Sequence, residues 1–395
     1  MDLSKRISGF QASPIRRLVP FATEAKKRGI HVYHLNIGQP DIRTPERVLD
    51  AVHSFDNPVI AYGESEGDAA LRSELTRYYA SYSIDVSEDE IMVTTGGSEA
   101  LQFVLMTLCD PGDEVIIPEP YYTNVGSFAK SAGVVLKAVT SRFEEDFALP
   151  PLEEFKDRIS DRTKAILLCS PNNPTGYVYS PQELADILEL ARQEDLFLIV
   201  DEVYREFCYD GQSFVSALTF GEYHDRIVVV DSFSKRYSMC GARIGALVTK
   251  RKDILDGAMK LAQARLCPPE IEQVAALAAL GTPDSYIQEV RQEYQARRDF
   301  LVKGLNSIEG VSCSTPKGAF YVIAELPVED AEDFCLFLLK DFSYKGQTVM
   351  FAPAEGFYVT EGMGRNQVRI AYVLNTEDLK HAVECLRVAL SEYRS

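Results

Sequence analysis

The sequence is short of positive charge: 41 Lys and Arg stand against 59 Asp and Glu, a formal net charge of −18. A surface that acidic repels polyanions at long range, which argues against nucleic acid as a partner. Histidine is scarce too. The five present (His31, His34, His53, His224 and His381) show no H-x-x-x-H or comparable ligand spacing, so no metal site is expected. The eight cysteines include no C-x-x-C pair, and several sit inside apolar runs, the pattern of buried free thiols in a reducing compartment. No run approaches the roughly 18 apolar residues of a transmembrane helix. The charged stretch before Leu18 is followed by no apolar segment of the signal-peptide kind. A cytoplasmic protein without membrane attachment is therefore the expectation. Internal repeats and low-complexity segments are lacking as well.

What is present is the composition of a folded globular chain, 46% hydrophobic and 25% charged over 395 residues, a length that implies about two domains. From about 68 to 250, short apolar runs alternate with stretches of helical period. The runs are 90–95, 113–118, 163–169, 196–201, 226–231 and 244–249; the helical stretches include 68–82 and 180–193. In the second of these, Ser180, Pro181 and Glu183 compose a capping box with proline in the first turn. Such alternation predicts an α/β domain with a mostly parallel central sheet sandwiched by helices. Beyond 250 come helical patterns at 268–280, 284–308, 330–341 and 376–393, and strand candidates at 319–326, 347–353 and 367–373. That part predicts a smaller α+β domain.

Open parallel sheets bind ligands at the carboxyl ends of their strands, and here those ends carry polar groups. Gly96-Gly97-Ser98 precedes an apolar-faced helix, which makes either an anion site at its free N–H groups or a tight turn without ligand. Asp201 ends five apolar residues, so its carboxylate needs a cation: a protonated pyridine nitrogen, or an internal salt bridge or cap. Lys235 follows IVVVDSFS. It is either a solvated lysine or one stripped of water, able to act as a nucleophile or Schiff-base former. Eight residues on, Arg243 can complete a phosphate cradle with Ser232 and Ser234. Arg369 lies in the apolar run QVRIAYV and requires a carboxylate, from a substrate or from the protein itself.

Taken together, S-F-S-K (232–235) with Arg243, PNNPTG (171–176), DEVY (201–204) and NIGQPD (36–41) resemble the class I/II aminotransferases, the aspartate-aminotransferase-like branch of pyridoxal-phosphate (PLP) fold type I. The resemblance implies a large PLP-binding domain at 45–280 and a small domain combining 1–44 with 281–395. It implies PLP as cofactor, with Lys235 as the Schiff-base lysine and proton carrier, Asp201 on the ring nitrogen, and Tyr204 and Asn173 on the ring 3-oxygen. Tyr122 matches the aromatic residue stacked on the ring, where many relatives carry the tryptophan this chain lacks altogether. Gly97, Ser98, Ser232 and Arg243 would hold the phosphate, and Tyr62 would reach the phosphate of the neighbouring subunit in a homodimer with shared active sites. Gly38, Asn173 and Arg369 would take the substrate α-carboxylate.

The reaction so implied passes the amino group of an L-amino acid to a 2-oxo acid, with aspartate as one donor and 2-oxoglutarate as one acceptor. A PLP-dependent β-lyase of the cystathionine β-lyase kind would use the same residues. A PLP-sensing regulator would add an N-terminal DNA-binding domain, whereas here the matching motifs begin at Asn36. Some aspartate-specific relatives bind the distal carboxylate with a lysine where this chain has Ser98. Arg16, Arg17 and Arg265 either replace it or are ordinary surface or structural arginines.

Overall fold

The computed structural model describes residues 3–10 and 13–393; positions 1–2, 11–12 and 394–395 of the expected small domain lie outside the described residues. In chain order the strands are β1 (His31–His34), β2 (Ile91–Thr94), β3 (Glu114–Glu119), β4 (Val135–Thr140), β5 (Thr163–Cys169), β6 (Phe197–Asp201), β7 (Ile227–Ser232), β8 (Gly245–Val248), β9 (Ser312–Cys313), β10 (Tyr321–Glu325), β11 (Gln347–Met350), β12 (Ala352–Pro353) and β13 (Gln367–Ala371). Seven of them build one sheet in the order β2-β8-β7-β6-β5-β3-β4. Six run in one direction, and β8 lies antiparallel to both its neighbours.

Why the central strands are unbroken apolar runs follows from the alternation of side chains across a sheet covered on both faces. Ile166, Leu168, Leu198, Val200, Ile227 and Val229 enter one core, beneath helices 69–80, 181–193 and 270–280. Ala165, Leu167, Ile199, Val228 and Val230 enter the other, beneath helices 96–108, 124–132 and 252–265. Each such valine, leucine or isoleucine stabilises the fold by about 1.5–3 kcal/mol relative to exposure. Helix Pro181–Gln193 starts at the expected capping box: Ser180 Oγ accepts the Glu183 N–H at 3.2 Å, and the Ser180 N–H donates to Glu183 at 2.7 Å.

The smaller part holds an antiparallel sheet, β12-β13-β10-β9, and the parallel pair β1-β11. They pack with helices 19–27, 284–305, 331–340 and 376–393 around Leu301, Phe334, Val349, Ile370 and Leu386. This core extends to Tyr204 and Phe207, just beyond β6, so the two parts share an apolar wall.

Three elements depart from the periodicity. Strand β4 is a sheet edge in which only Ala138 and Val139 are buried, so VLKAVT lacks a continuous apolar signature. Helix Lys252–Arg265 buries a narrow stripe of Ile254, Leu255, Ala258 and Ala262 amid charge. The run at 347–353 divides at Phe351 between two sheets. No helix among the described residues is long and apolar enough to cross a membrane.

Register levels the strand ends along one edge. Cys169 pairs with Asp201, and Asp201 with Val230; Ser232 pairs with Gly245, and Gly245 with Thr94. The polar residues that follow these ends consequently converge.

Candidate active site

A cavity of about 480 Å³ opens at that edge, between the large sheet and β10 and β13 of the smaller part. Gly38, Gly97, Ser98, Tyr122, Asn173, Asp201, Tyr204, Ser232, Lys235, Arg243 and Arg369 all line it. Tyr62 does not. It is 80% exposed, within the exposed stretch 56–64.

One end of the cavity is built for an anion. Helix Gly96–Leu108 directs its first N–H groups toward it. Ser232 Oγ lies 2.9 Å from Ser234 Oγ, and Arg243 donates to Ser234 Oγ at 3.4 Å and to the Cys240 carbonyl at 3.0 Å. Here β8 must press against the helix start. A Cβ on Gly245 would stand 2.5 Å from the Gly96 carbonyl carbon and 2.6 Å from the Gly97 nitrogen, so only glycine lets the two backbones meet.

Midway stands Asp201, buried, with one oxygen accepting the Val203 N–H at 3.2 Å. Burial pushes its carboxyl up to about 7; the Val203 N–H opposes that rise, Asp231 and Glu202 add to it, and Lys235 opposes it. Tyr204 shares a hydrogen bond with Tyr321, the hydroxyls 2.9 Å apart, and burial holds its phenol well above the usual range. Tyr122 accepts from Asn124 at 2.7 Å and is pushed up to about 12 by burial.

At the other end Arg369, 1% exposed, donates to Asn173 Oδ1 at 3.0 Å and to the Asn36 carbonyl at 2.6 Å. Its guanidinium lies over Tyr321 and Phe357, 4.5 and 4.9 Å from the ring centroids, and burial weakens its hold on its proton. The Lys235 amine donates to the Gly38 carbonyl at 2.8 Å and sits 3.7 Å from the Cys240 sulfur. A Cβ on Gly38 would overlap the Tyr321 hydroxyl at 1.8 Å, so this carbonyl reaches Lys235 only because residue 38 is glycine.

Among the described residues none of Lys235, Arg243 and Arg369 has a carboxylate within ion-pair distance. Three unpaired cations around one cavity, in a chain of net charge −18, constitute a site for an anionic ligand. The buried Asp201 carboxyl likewise forms no salt bridge. A molecule with a phosphate at one end and a protonated ring nitrogen midway supplies both missing partners, and the donor set therefore fits PLP.

A polar network that the strand-end motifs did not reveal lies behind the cavity. Asp231 accepts from Tyr79 at 2.9 Å, Arg205 at 3.2 Å and Arg236 at 2.8 Å. Burial alone would raise its carboxyl, but Arg205 and Arg236 hold it below the usual range. Arg205 also binds Glu202 at 3.1 Å, and Arg236 binds Glu206 at 3.1 Å, so the turn after β6 is locked to the end of β7. Arg205 and Arg236 flank Tyr204 and Lys235 in sequence, and adjacency was their only signal. Tyr321 gave none, since a tyrosine in an apolar strand reads as core.

Of the three arginines considered for a distal carboxylate, Arg17 is paired with Glu332. Arg265 lies 3.6 Å from Glu99 and donates to the Ser65 carbonyl at 2.8 Å. Neither lines the cavity, whereas Arg16 does.

Comparison with known proteins agrees with this geometry. The family model for aminotransferase class I and II matches residues 30–386. The aspartate aminotransferase of Rhizobium meliloti (strain 1021) is 33% identical over 98% of this chain and 95% of its own; that of Bacillus subtilis (strain 168) is 31% identical over 98% of both. Among solved structures, alanine aminotransferase from Pyrococcus furiosus superposes with a TM-score of 0.90 at 31% identity, covering 99% of this chain and all of the other. Aspartate aminotransferase from Thermotoga maritima gives 0.89 at 32%, covering 98% of this chain and all of its own. The chain belongs to the class I and II aminotransferases. It is a PLP-dependent aminotransferase of fold type I, moving the amino group of an amino acid to a 2-oxo acid.

Proposed function

We propose that Lys235, Asp201 and Tyr204 carry the catalysis, and that the arrangement of unpaired charge along the cavity is what supports these roles. When bound, PLP supplies an aldehyde that takes up the amino group and a ring that draws electrons from the substrate Cα. Lys235 would attach the cofactor and would carry the proton at the substrate Cα, with the Gly38 carbonyl orienting its amine. The Asp201 carboxylate would keep the ring nitrogen protonated, and the electrostatic gain is large because the carboxylate is buried. Tyr204 and Asn173 hold the ring oxygen, and Tyr122 covers the ring face. Gly97, Ser98, Ser232 and Arg243 hold the phosphate. Arg369 grips the substrate α-carboxylate; Asn173 and the Asn36 carbonyl fix its plane, and Gly38 leaves it room.

In this reading the PLP-binding domain spans 45–280, and the small domain joins 1–44 to 281–395. The protein works in the cytoplasm as a homodimer. The exposed stretch around Val59, Ile60 and Tyr62 covers the partner, and Tyr62 completes the partner's phosphate site. The acceptor is 2-oxoglutarate, and aspartate is one donor, the substrate named for the Rhizobium meliloti and Bacillus subtilis relatives.

A single-turnover assay tests the reaction. Loaded enzyme given L-aspartate or L-glutamate without acceptor should release about one oxo acid per active site and then stop until a 2-oxo acid is added. Continuous release of pyruvate and ammonia from cystathionine, whose Cβ–S bond breaks with a thiol as leaving group, without any acceptor would instead identify a β-elimination enzyme.

A further inference from the structure

The cavity holds a fourth positive charge. Arg16 lines it, and its side chain is exposed, with no hydrogen bond and no ion pair among the described residues. Its neighbours differ: Arg17 is bound to Glu332, and Arg265 to Glu99 and the Ser65 carbonyl. The other cavity cations are also engaged with the protein, Arg243 with Ser234 and Cys240, Arg369 with Asn173 and Asn36, and Lys235 with Gly38.

The position of Arg16 along the cavity follows from Asn36. The carbonyl of this buried asparagine accepts from Arg369, and its side-chain amide donates to the Ile15 carbonyl at 2.7 Å. One residue therefore ties Arg369 to the backbone next to Arg16. The segment is also fixed from outside. The N–H groups of Arg16 and Arg17 donate to the Ser13 carbonyl at 3.0 and 2.8 Å, and Ile15 packs on the cluster containing Phe357 and Tyr358. The guanidinium is close enough to act electrostatically on the Tyr122 hydroxyl, as Arg369 does. Thus a held backbone presents an uncommitted guanidinium at the substrate end, beside a site already built for one carboxylate.

We propose that Arg16 binds the second carboxylate of a dicarboxylic substrate, so that the enzyme selects acidic amino acids and their 2-oxo acids over monocarboxylic ones. The inference rests on the aminotransferase reading above. A planar guanidinium matches a carboxylate in two parallel hydrogen bonds, which a lysine or glutamine cannot reproduce. In a chain this acidic, an arginine with a free carboxylate nearby would be paired with it; Arg16 is left for the ligand.

The test compares Arg16→Gln and Arg16→Lys with the unaltered holoenzyme, measuring kcat/KM for L-aspartate, L-glutamate and L-alanine and the Kd of the dicarboxylate maleate. Loss of one charge-assisted contact predicts a fall of about 10- to 100-fold for both acidic donors in Arg16→Gln, with maleate weakened in parallel. The loss for L-alanine should be at least about tenfold smaller, and Arg16→Lys should recover part of the acidic-donor activity. Equal losses for alanine and aspartate, or a maleate Kd that does not move, would overturn the assignment. Failure of the unaltered enzyme to form an oxo acid from any donor would instead remove the aminotransferase reading, before the variants are compared.

Discussion

At the scale of single residues the site is a set of charges whose partners lie in the ligand, and Asp201 shows the consequence most directly. Its carboxyl is raised to about 7 in the folded chain, against about 3.9 for an unfolded aspartate. Between those values the folded chain holds a proton that the unfolded chain has released, so cofactor-free protein loses stability as pH rises. Glu202, also pushed up to about 7 by burial, acts with the same sign. Asp201→Asn removes the first contribution. Thermal melts of cofactor-free protein should show the variant gaining on wild type between about pH 4 and about pH 7, with the gap level above that. A constant gap would mean that the carboxyl titrates normally. Much of this was legible from sequence, because a carboxylate or arginine set inside an apolar run has few explanations. Asp201 and Arg369 were such residues. Tyr321 and Asn36 were not, since their importance comes from contacts across more than a hundred residues of chain.

At the scale of elements the central strands were readable because both their faces are buried, which leaves continuous apolar runs. Helix Pro181–Gln193 was readable because its cap is written locally in Ser180, Pro181 and Glu183. Strand β4 was not, as an edge strand with exposed and half-buried positions needs no apolar run. Nor was β1, whose four residues HVYH are a strand only by pairing with β11, more than three hundred residues away. The antiparallel course of β8 also escapes periodicity, yet it matters for the site: β8 enters between β2 and β7, and Gly245 there meets the start of helix Gly96–Leu108. The buried ion pairs of Arg205 and Arg236 then join the turn after β6 to the end of β7. In effect the elements place Asp201 at the end of β6 and Lys235 three residues beyond the end of the adjacent parallel β7, and two independent loops become one rigid constellation.

At the scale of the whole molecule the site is assembled from both parts of the chain, and we propose that a second chain completes it. Tyr62 and the apolar residues Val59 and Ile60 are exposed on the single chain, which is costly unless a surface covers them. Sedimentation should therefore find a dimer. Tyr62→Phe should weaken PLP binding by about 10-fold, the loss of one hydrogen bond to a charged group, without changing the dimer. A monomer with full activity would exclude shared sites. The acidic balance belongs to this scale as well, because the general surface repels anions while the cavity concentrates positive charge where they react.

The most direct measurement replaces Lys235 with alanine and follows oxo acid formation from the preferred amino donor in enzyme saturated with PLP. Removing the group that we propose attaches the cofactor and carries the Cα proton should lower the rate at least about 10⁴-fold, while PLP should still bind through the proposed phosphate end of the cavity. A variant that binds PLP and transaminates within about tenfold of wild type would contradict the assignment of Lys235 as the centre of the site.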